Sequence, residues 1–436
     1  MVDKGSLRKV VSQWITQNIP YTIERNITIP TDLGIIVSII GPRRAGKTFL
    51  MYSAMKKLIQ SVPRSNILYA NFEHESLVGM TADELDDLLT IFIELSAPQD
   101  NFKIYLFLDE IQVVPNWGKW VNRMYESKRF RIFISGSSSK LLSSELSSEL
   151  RGRTIDIVVL PMSFSEFLSA KNIPVPELDL LIYNQERGKL LGSLNEYIIK
   201  GGYPETLGMN EYHGNLLRSY IDTTIVKDVG ERFRIEPSIL KVFVNYCFKT
   251  YSKQISGTKI YNYLKSLNYS VSHDFPLKLI DYFAQVFFLY TVNLYSFSFK
   301  KSTQHPRKLY LVDTGLINVM TSSQEMGKNM ENIVFLELYR RMCSGNNFEI
   351  HYWKEYGKSD GLEVDFVLSN GNEVQELINV TYANSQEDIR EREFKSLFKA
   401  SRELGCKKLT VITWDFLKEG DIEYVPLWYW LLRSST

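Results

Sequence analysis

The chain has 436 residues, room for about three domains of ordinary size. Lys plus Arg (51) almost cancels Asp plus Glu (50), which argues against a polycation built to coat nucleic acid and confines any nucleic-acid surface to a local patch. A 44% hydrophobic, 23% charged composition argues against long disordered tails, and three scattered cysteines, Cys247, Cys343 and Cys406, argue against a structural zinc site and for a reducing compartment.

The first residues, Val2 to Lys9, lack the apolar core of a secretory signal, so a cytoplasmic location is expected. Gly34 to Ile40 is a short β-branched apolar run, the pattern of a strand buried on both faces. It leads into Gly41-Pro42-Arg43-Arg44-Ala45-Gly46-Lys47-Thr48, and good helix formers follow from Phe49 to Leu58. The order strand, glycine-rich loop, helix is that of a P-loop. Gly41 and Gly46 let backbone N–H groups curl around a phosphate at the positive end of the helix. Lys47 is expected to neutralise phosphate oxygens and Thr48 to offer its hydroxyl to magnesium. Nucleotide binding is therefore assigned to Gly41, Pro42, Arg43, Arg44, Ala45, Gly46, Lys47, Thr48 and Phe49, with ATP and Mg2+ as the bound species.

A strand over Asn66 to Phe72 and a helix over Ala82 to Leu95 come next, and this alternation indicates a parallel sheet in an α/β fold. The apolar run Ile104 to Leu108 ends in Asp109-Glu110, two acids at the carboxyl edge of a strand, where such sheets bind ligands. Asp109 is expected to hold the metal through water and Glu110 to act as general base on the attacking water. Another strand, Arg131 to Ser135, ends beside Ser137 and Ser138, either of which is placed to sense the γ-phosphate. Leu150-Arg151-Gly152-Arg153 puts two arginines near the expected rim of the site, and Arg153 is the candidate finger acting on a neighbouring copy's nucleotide.

The double arginine in the P-loop, Leu108-Asp109-Glu110-Ile111-Gln112 with Trp117 and Trp120, the Ile134-Ser135-Gly136-Ser137 segment and Leu160-Pro161-Met162-Ser163-Phe164 together resemble a family. So do Gly201-Gly202-Tyr203-Pro204-Glu205, Lys308 to Gly315 and Glu363-Val364-Asp365-Phe366-Val367. The resemblance is to AAA+-type P-loop ATPases of prokaryotes, archaea included, whose carboxyl part is the domain of unknown function DUF4143. It spans essentially the whole chain. It implies an AAA+-like core of the ASCE type over residues 1–163, a helical lid over 164–235, a winged helix over 236–320 and a small α/β domain similar to PD-(D/E)xK nucleases over 321–436.

The residues of the carboxyl half are read against that outline. Residues 195–234 read as helices joined at Gly201-Gly202, and Asp222, Lys227, Asp228 and Arg232 suit either a subunit contact or a solvated face. Ser256 is expected to cap a helix through Ser266 and Ser272 a second one reaching Phe283, a helix-turn-helix. Val286 to Tyr295 and Lys308 to Val312 would form the wing, with Lys300, Lys301, Arg307 and Lys308 at its tip. The most apolar stretch, Leu277 to Phe299, is broken by Lys278, Asp281, Gln285 and Asn293 and reads as buried helix plus strand, not as a membrane span.

Glu331 to Arg340 reads as an amphipathic helix carrying acids, Glu337 among them. Asp365 and Glu376 fall on consecutive strands, where the resembled nucleases place metal-binding carboxylates. The lysine of that pattern would stand two residues after the second acid, and Ile378 stands there instead, which makes the site degenerate unless Lys395 replaces it. The expectation is a Mg-dependent ATPase that couples hydrolysis to DNA binding or remodelling, with assembly of several copies in prospect and no membrane partner. The competing expectations are a nucleotide-driven switch that holds a protein partner and an ATP-regulated, metal-dependent nuclease.

Overall fold

The computed structural model describes residues 2–137, 150, 152–175, 186–296, 305–321, 325–355 and 361–433. Ser138, Arg151, Lys300 and Lys301 lie outside the described residues. The chain forms two compact units, Met1–Leu160 and Pro161–Thr436.

The first unit is an α/β fold around a five-stranded parallel sheet. Its elements are α1 (Lys4–Thr16), β1 (Ile36–Ile40), α2 (Lys47–Leu58), β2 (Ile67–Asn71), α3 (Ala82–Ser96), β3 (Ile104–Asp109), α4 (Trp117–Glu126), β4 (Phe130–Gly136) and β5 (Thr154–Val158). The strand order is β2-β3-β4-β1-β5, and every neighbouring pair runs parallel. All five residues of β1 are buried, as expected for a strand covered on both faces. β4 is inserted between β1 and β3, so the P-loop strand and the Asp109 strand are not neighbours, the arrangement of ASCE-type P-loop proteins. At the sheet edge α1 begins on the Asp3 cap, whose carboxylate accepts from Ser6 N, and Trp14 Nε1 donates to Ile67 O at 2.6 Å. α3 starts with a capping box of Thr81 and Glu84.

In the second unit, α5 (Phe164–Ala170), α6 (Glu186–Lys200), α7 (His213–Thr223) and α8 (Pro237–Thr250) precede β6 (Lys253–Ile255), α9 (Gly257–Ser266), α10 (Phe275–Gln285), β7 (Leu289–Leu294) and β8 (Arg307–Leu311). Then come α11 (Thr314–Met320), α12 (Met326–Cys343), β9 (Glu349–Lys354), β10 (Glu363–Asn370), β11 (Glu373–Val380), α13 (Glu391–Leu404), β12 (Leu409–Thr413), β13 (Glu423–Pro426) and α14 (Leu427–Arg433). Among the described residues the strands form one eight-stranded sheet, ordered β13-β12-β11-β10-β9-β7-β8-β6. The two strands expected to form a wing therefore run on into the strands of the carboxyl-terminal region through a parallel β7–β9 pair.

Several sequence expectations are corrected here. Ser256 does cap α9, accepting from Lys259 N, but α10 begins at Phe275 after Asp274 and not at a Ser272 cap. Pro276 explains the shift, because proline in the first turn needs no N–H partner and presets the helical φ. α12 is not amphipathic: its residues from Asn329 to Leu338 are all buried. Its polar side chains are satisfied inside, with Asn332 bonding both backbone atoms of Leu311 at 2.8 Å and Glu331 accepting from Tyr310 Oη at 2.8 Å. Lys308 is not at an exposed tip but 2% exposed, held among acids. Asp222, Lys227 and Arg232 are exposed. No helix among the described residues is long and apolar enough to cross a membrane.

The two glycine-bearing motifs of the carboxyl half meet in this unit. Asp313 caps α11, and its Oδ2 accepts from Gly202 N at 2.7 Å. A Cβ on Gly202 would stand 2.4 Å from Met162 O, so the close backbone approach requires glycine.

Candidate active site

The loop after β1 is built for an anion. Gly41, Arg44 and Gly46 have positive φ (147°, 63° and 98°), and this sequence of turns bends the backbone around the space ahead of α2. Gly46 at the N-cap of α2 has no side chain to cap the helix, which leaves the first-turn N–H groups without a cap from that residue. A Cβ on Gly41 would lie 2.0 Å from Val159 O, the carbonyl just after β5, so glycine is required by packing as well as by φ. Ala45 is fully buried and its carbonyl accepts from Arg25 at 2.9 Å, while Arg25 also bonds Leu160 O at 2.8 Å. The loop is thereby fixed to the end of the sheet.

Lys47 is 5% exposed. Its Nζ donates to Gly41 O at 3.1 Å and Pro42 O at 3.0 Å, and Glu110 Oε1 stands 3.7 Å away. Arg43 pairs with Glu73 at 3.0 Å, Arg44 is exposed, and Phe49 is half-exposed with its ring edge-on to Tyr52.

Asp109, fully buried at the end of β3, collects three hydroxyl donors: Thr48 Oγ1 at 2.7 Å, Tyr69 Oη at 2.9 Å, and Ser135 Oγ. Burial raises its carboxyl above the ordinary range, the hydrogen bonds from Ser135, Thr48 and Tyr69 oppose that, and the neighbouring Glu110 charge adds to it. A buried carboxylate beside a threonine hydroxyl is a hard oxygen donor set, and a divalent cation would offset the desolvation of the acid, so Thr48 and Asp109 fit magnesium. Glu110 has φ 53° and is oriented by Gln112 Nε2 at 2.5 Å, while its own N donates to Ser135 Oγ at 2.9 Å.

Ser135, buried inside β4, is the serine that bonds both acids' positions, whereas Ser137 lies just beyond the strand and is 9% exposed. Arg153 is not at the rim of the P-loop. It precedes β5, which pairs with β1 from Ile36↔Thr154 onward, so it lies at the amino-terminal end of parallel strands whose carboxyl ends carry the site, roughly 16 Å of strand away. Its guanidinium pairs with Glu126 at 2.9 Å and lies over the Tyr125 ring.

The carboxyl-terminal acids do not converge. Glu337 pairs with Arg340 at 3.3 Å and Arg341 at 3.4 Å. Glu376 accepts from Thr410 at 2.6 Å and Lys408 at 2.9 Å. Asp365 instead bonds Lys308 at 2.7 Å, Val380 N at 2.9 Å and, through its own N, Asn379 Oδ1 at 3.0 Å. The β10–β11 ladder pairs Phe366 with Ile378 and Leu368 with Glu376, which sets Asp365 beside Asn379, on the opposite face from Glu376 and the buried Ile378. Lys395 pairs with Glu391 on its own helix at 2.7 Å. Among the described residues no group of three or more His, Cys, Asp or Glu is arranged to hold a metal ion.

An inserted-strand parallel sheet, a glycine-bent loop on a helix N-terminus and an aspartate bonded to the loop threonine define an AAA-type P-loop nucleotide-binding domain. The AAA domain family matches residues 34–168, and the domains of unknown function DUF8612 and DUF4143 match residues 191–326 and 326–430. The carboxyl region expected to be DUF4143 alone thus carries two such domains. The chain belongs to the same family as the "Uncharacterized protein MJ1544" of Methanocaldococcus jannaschii, to which it is 36% identical over 94% of this chain and 91% of that one. An "Uncharacterized protein" of Haemophilus influenzae is 30% identical over 79% and 82%. Among solved structures, "The walker-type atpase paby2304 of pyrococcus abyssi" is similar at 13% identity and a TM-score of 0.42, covering 73% of this chain and 96% of that one.

Proposed function

We propose that this protein is a Mg-dependent ATPase. The single observation that carries the reading is the convergence of Thr48 and Asp109 at 2.7 Å beside Lys47 and Glu110. Lys47 would leave its loop carbonyls for the β and γ phosphate oxygens, and the first-turn amides of α2 would hold the phosphate chain. Thr48 and Asp109 would hold magnesium, which when bound supplies charge neutralisation between the β and γ phosphates. Glu110, oriented by Gln112, would accept the proton of the attacking water. Calorimetry with Mg-ATP and a turnover assay test this, and failure of the folded protein to take up ATP or ADP with magnesium would overturn it.

The same proposal extends to DNA as the substrate of the cycle. It is supported by α9 and α10, two helices joined by a turn and followed by the β7–β8 pair, an order that would present α10 to a groove. The turnover rate with single-stranded, duplex and branched DNA over a salt series tests it, with stimulation that weakens steeply as salt rises as the expected result. A second reading, a nucleotide switch for a protein partner, is favoured by two specific contacts. Lys278 near the start of α10 is paired on the exposed helix surface with Asp274 at 2.6 Å, and Lys308 is buried among acids, so the first cation is partly neutralised and the second is withdrawn from solvent. An unchanged rate with every DNA would support this second reading. Several copies would assemble, with a neighbour's arginine reaching the γ-phosphate; Arg153 would have to leave its pair with Glu126 to serve as that finger.

A further inference from the structure

A cavity of about 580 Å³ opens in the first unit beside the nucleotide site, between α1, α2 and the end of β2. Its volume is that of a small-molecule pocket. Trp14, Tyr52 and Tyr69 supply aromatic faces, and Gln13, Asn71 and His74 supply donors and acceptors. Among the described residues no Lys or Arg lines it, and Arg64, which packs on the Trp14 ring at 4.7 Å, directs its guanidinium to Trp14 O at 2.6 Å and to Gln17 O, so the lining suits an uncharged group. His74 Nδ1 accepts from Ser76 N at 3.2 Å, which leaves the ring's Nε2 to carry the proton and act as a donor. Aromatic faces with amide and imidazole edges are what a planar heteroaromatic ring requires.

The cavity wall reaches the metal-binding aspartate. Tyr52 and Tyr69 pack with ring centroids 5.1 Å apart, and Tyr69 donates to Asp109 Oδ2, the oxygen that Thr48 also bonds. Tyr52 lies one helical turn beyond Thr48 on α2, so the pocket and the proposed magnesium site share both a helix and an acid. A ring stacked on Tyr69 would bear on the hydroxyl that holds Asp109.

We propose that this cavity binds the nucleobase of a free nucleoside as a second ligand, and that its occupation alters metal binding at Asp109 through Tyr69. The coupling rests on the nucleotide site proposed above; the binding itself does not. The experiment uses the full chain with adenosine, guanosine, cytidine and uridine as probes, followed by saturation-transfer NMR and calorimetry, with and without saturating Mg-AMP-PNP. At least one nucleoside is expected to bind while the P-loop is saturated. Gln13→Trp, which fills the cavity from an exposed position on α1, and His74→Ala are each expected to weaken that binding at least tenfold and to leave Mg-AMP-PNP affinity unchanged. Lys47→Ala is expected to abolish Mg-AMP-PNP binding and retain nucleoside binding, so failure of the P-loop assignment is read separately. Tyr69 is a positioning residue: the bound nucleoside is expected to shift the magnesium concentration for half-maximal turnover in the wild type and not in Tyr69→Phe. Absence of nucleoside binding, equal binding by Gln13→Trp, or a parallel loss of Mg-AMP-PNP affinity, which would mark the cavity as the seat of ATP's own base, overturns the proposal.

Discussion

Lys308 Nζ lies 2.7 Å from Asp365 Oδ1, joining a strand expected to form a wing to a strand expected to carry a nuclease acid. Glu363 at 2.8 Å and Glu331 at 3.1 Å complete the cluster, with one cation facing three carboxylates in the interior. The three acids and Tyr310 raise the Lys308 ammonium well above its ordinary range against the opposing effect of its burial, so it stays charged. Lys308→Met would leave buried acids without their counter-charge, and a loss of about 3–5 kcal/mol is expected in urea unfolding of the protein. Adding Asp365→Asn to Lys308→Met should recover part of that loss; no recovery would show that the pair is not the dominant contact.

Lys47→Ala should remove nucleotide affinity, because it deletes the only lysine in the loop from Gly41 to Phe49. Calorimetric titration with Mg-ATP reads this directly, and wild-type affinity in the variant would contradict the loop assignment.

Glu110→Gln keeps the shape of the side chain and removes the base. Nucleotide binding should persist while turnover falls by about 10²–10⁴. A filter assay that recovers unhydrolysed ATP on the variant checks the outcome, and normal turnover would take the role of base away from Glu110.

Ser135 and Ser137 are separable. Ser135 bonds the carboxylate of Asp109 and the N–H of Glu110, so Ser135→Ala should raise the magnesium concentration needed for half-maximal turnover. Ser137→Ala should leave that concentration unchanged, and an equal shift in both variants would show that the Ser135 contacts are not what sets it.

Asp313 gives a pH signature. Burial pushes its carboxyl up to about 6 from the ordinary 3.8, against the backbone hydrogen bonds from Gly202, Leu316 and Gly315 that lower it. A folded-state pKa above the unfolded value means that the native state holds a proton the unfolded chain has lost. The contribution is therefore complete below about pH 4 and disappears as the pH rises through about 6. Thermal unfolding between pH 4 and 7 should show a less negative dependence on pH in Asp313→Asn than in the wild type, and identical slopes would rule out Asp313 as the source.

The sequence by itself determined the first unit's nucleotide loop and much of its sheet, because both depend on short-range rules. A β-branched run buries a strand, glycines at fixed spacing permit positive φ, and lysine and threonine open the next helix. The Asp109-Glu110 pair was legible for the same reason, being tied to a strand end. Ser135, Tyr69 and the cavity beside them were not, since hydroxyl-to-carboxylate contacts between residues 26 and 40 positions apart in the chain leave no local pattern. In the second unit only the tertiary structure decided the outcome. Register between β10 and β11 chose Asn379 over Glu376 as the neighbour of Asp365, and the pairing of β7 with β9 carried one sheet across the expected domain border. Lys308 was read as a solvated wing cation because charge favours water, and only the folded arrangement supplied the three acids that let it be buried.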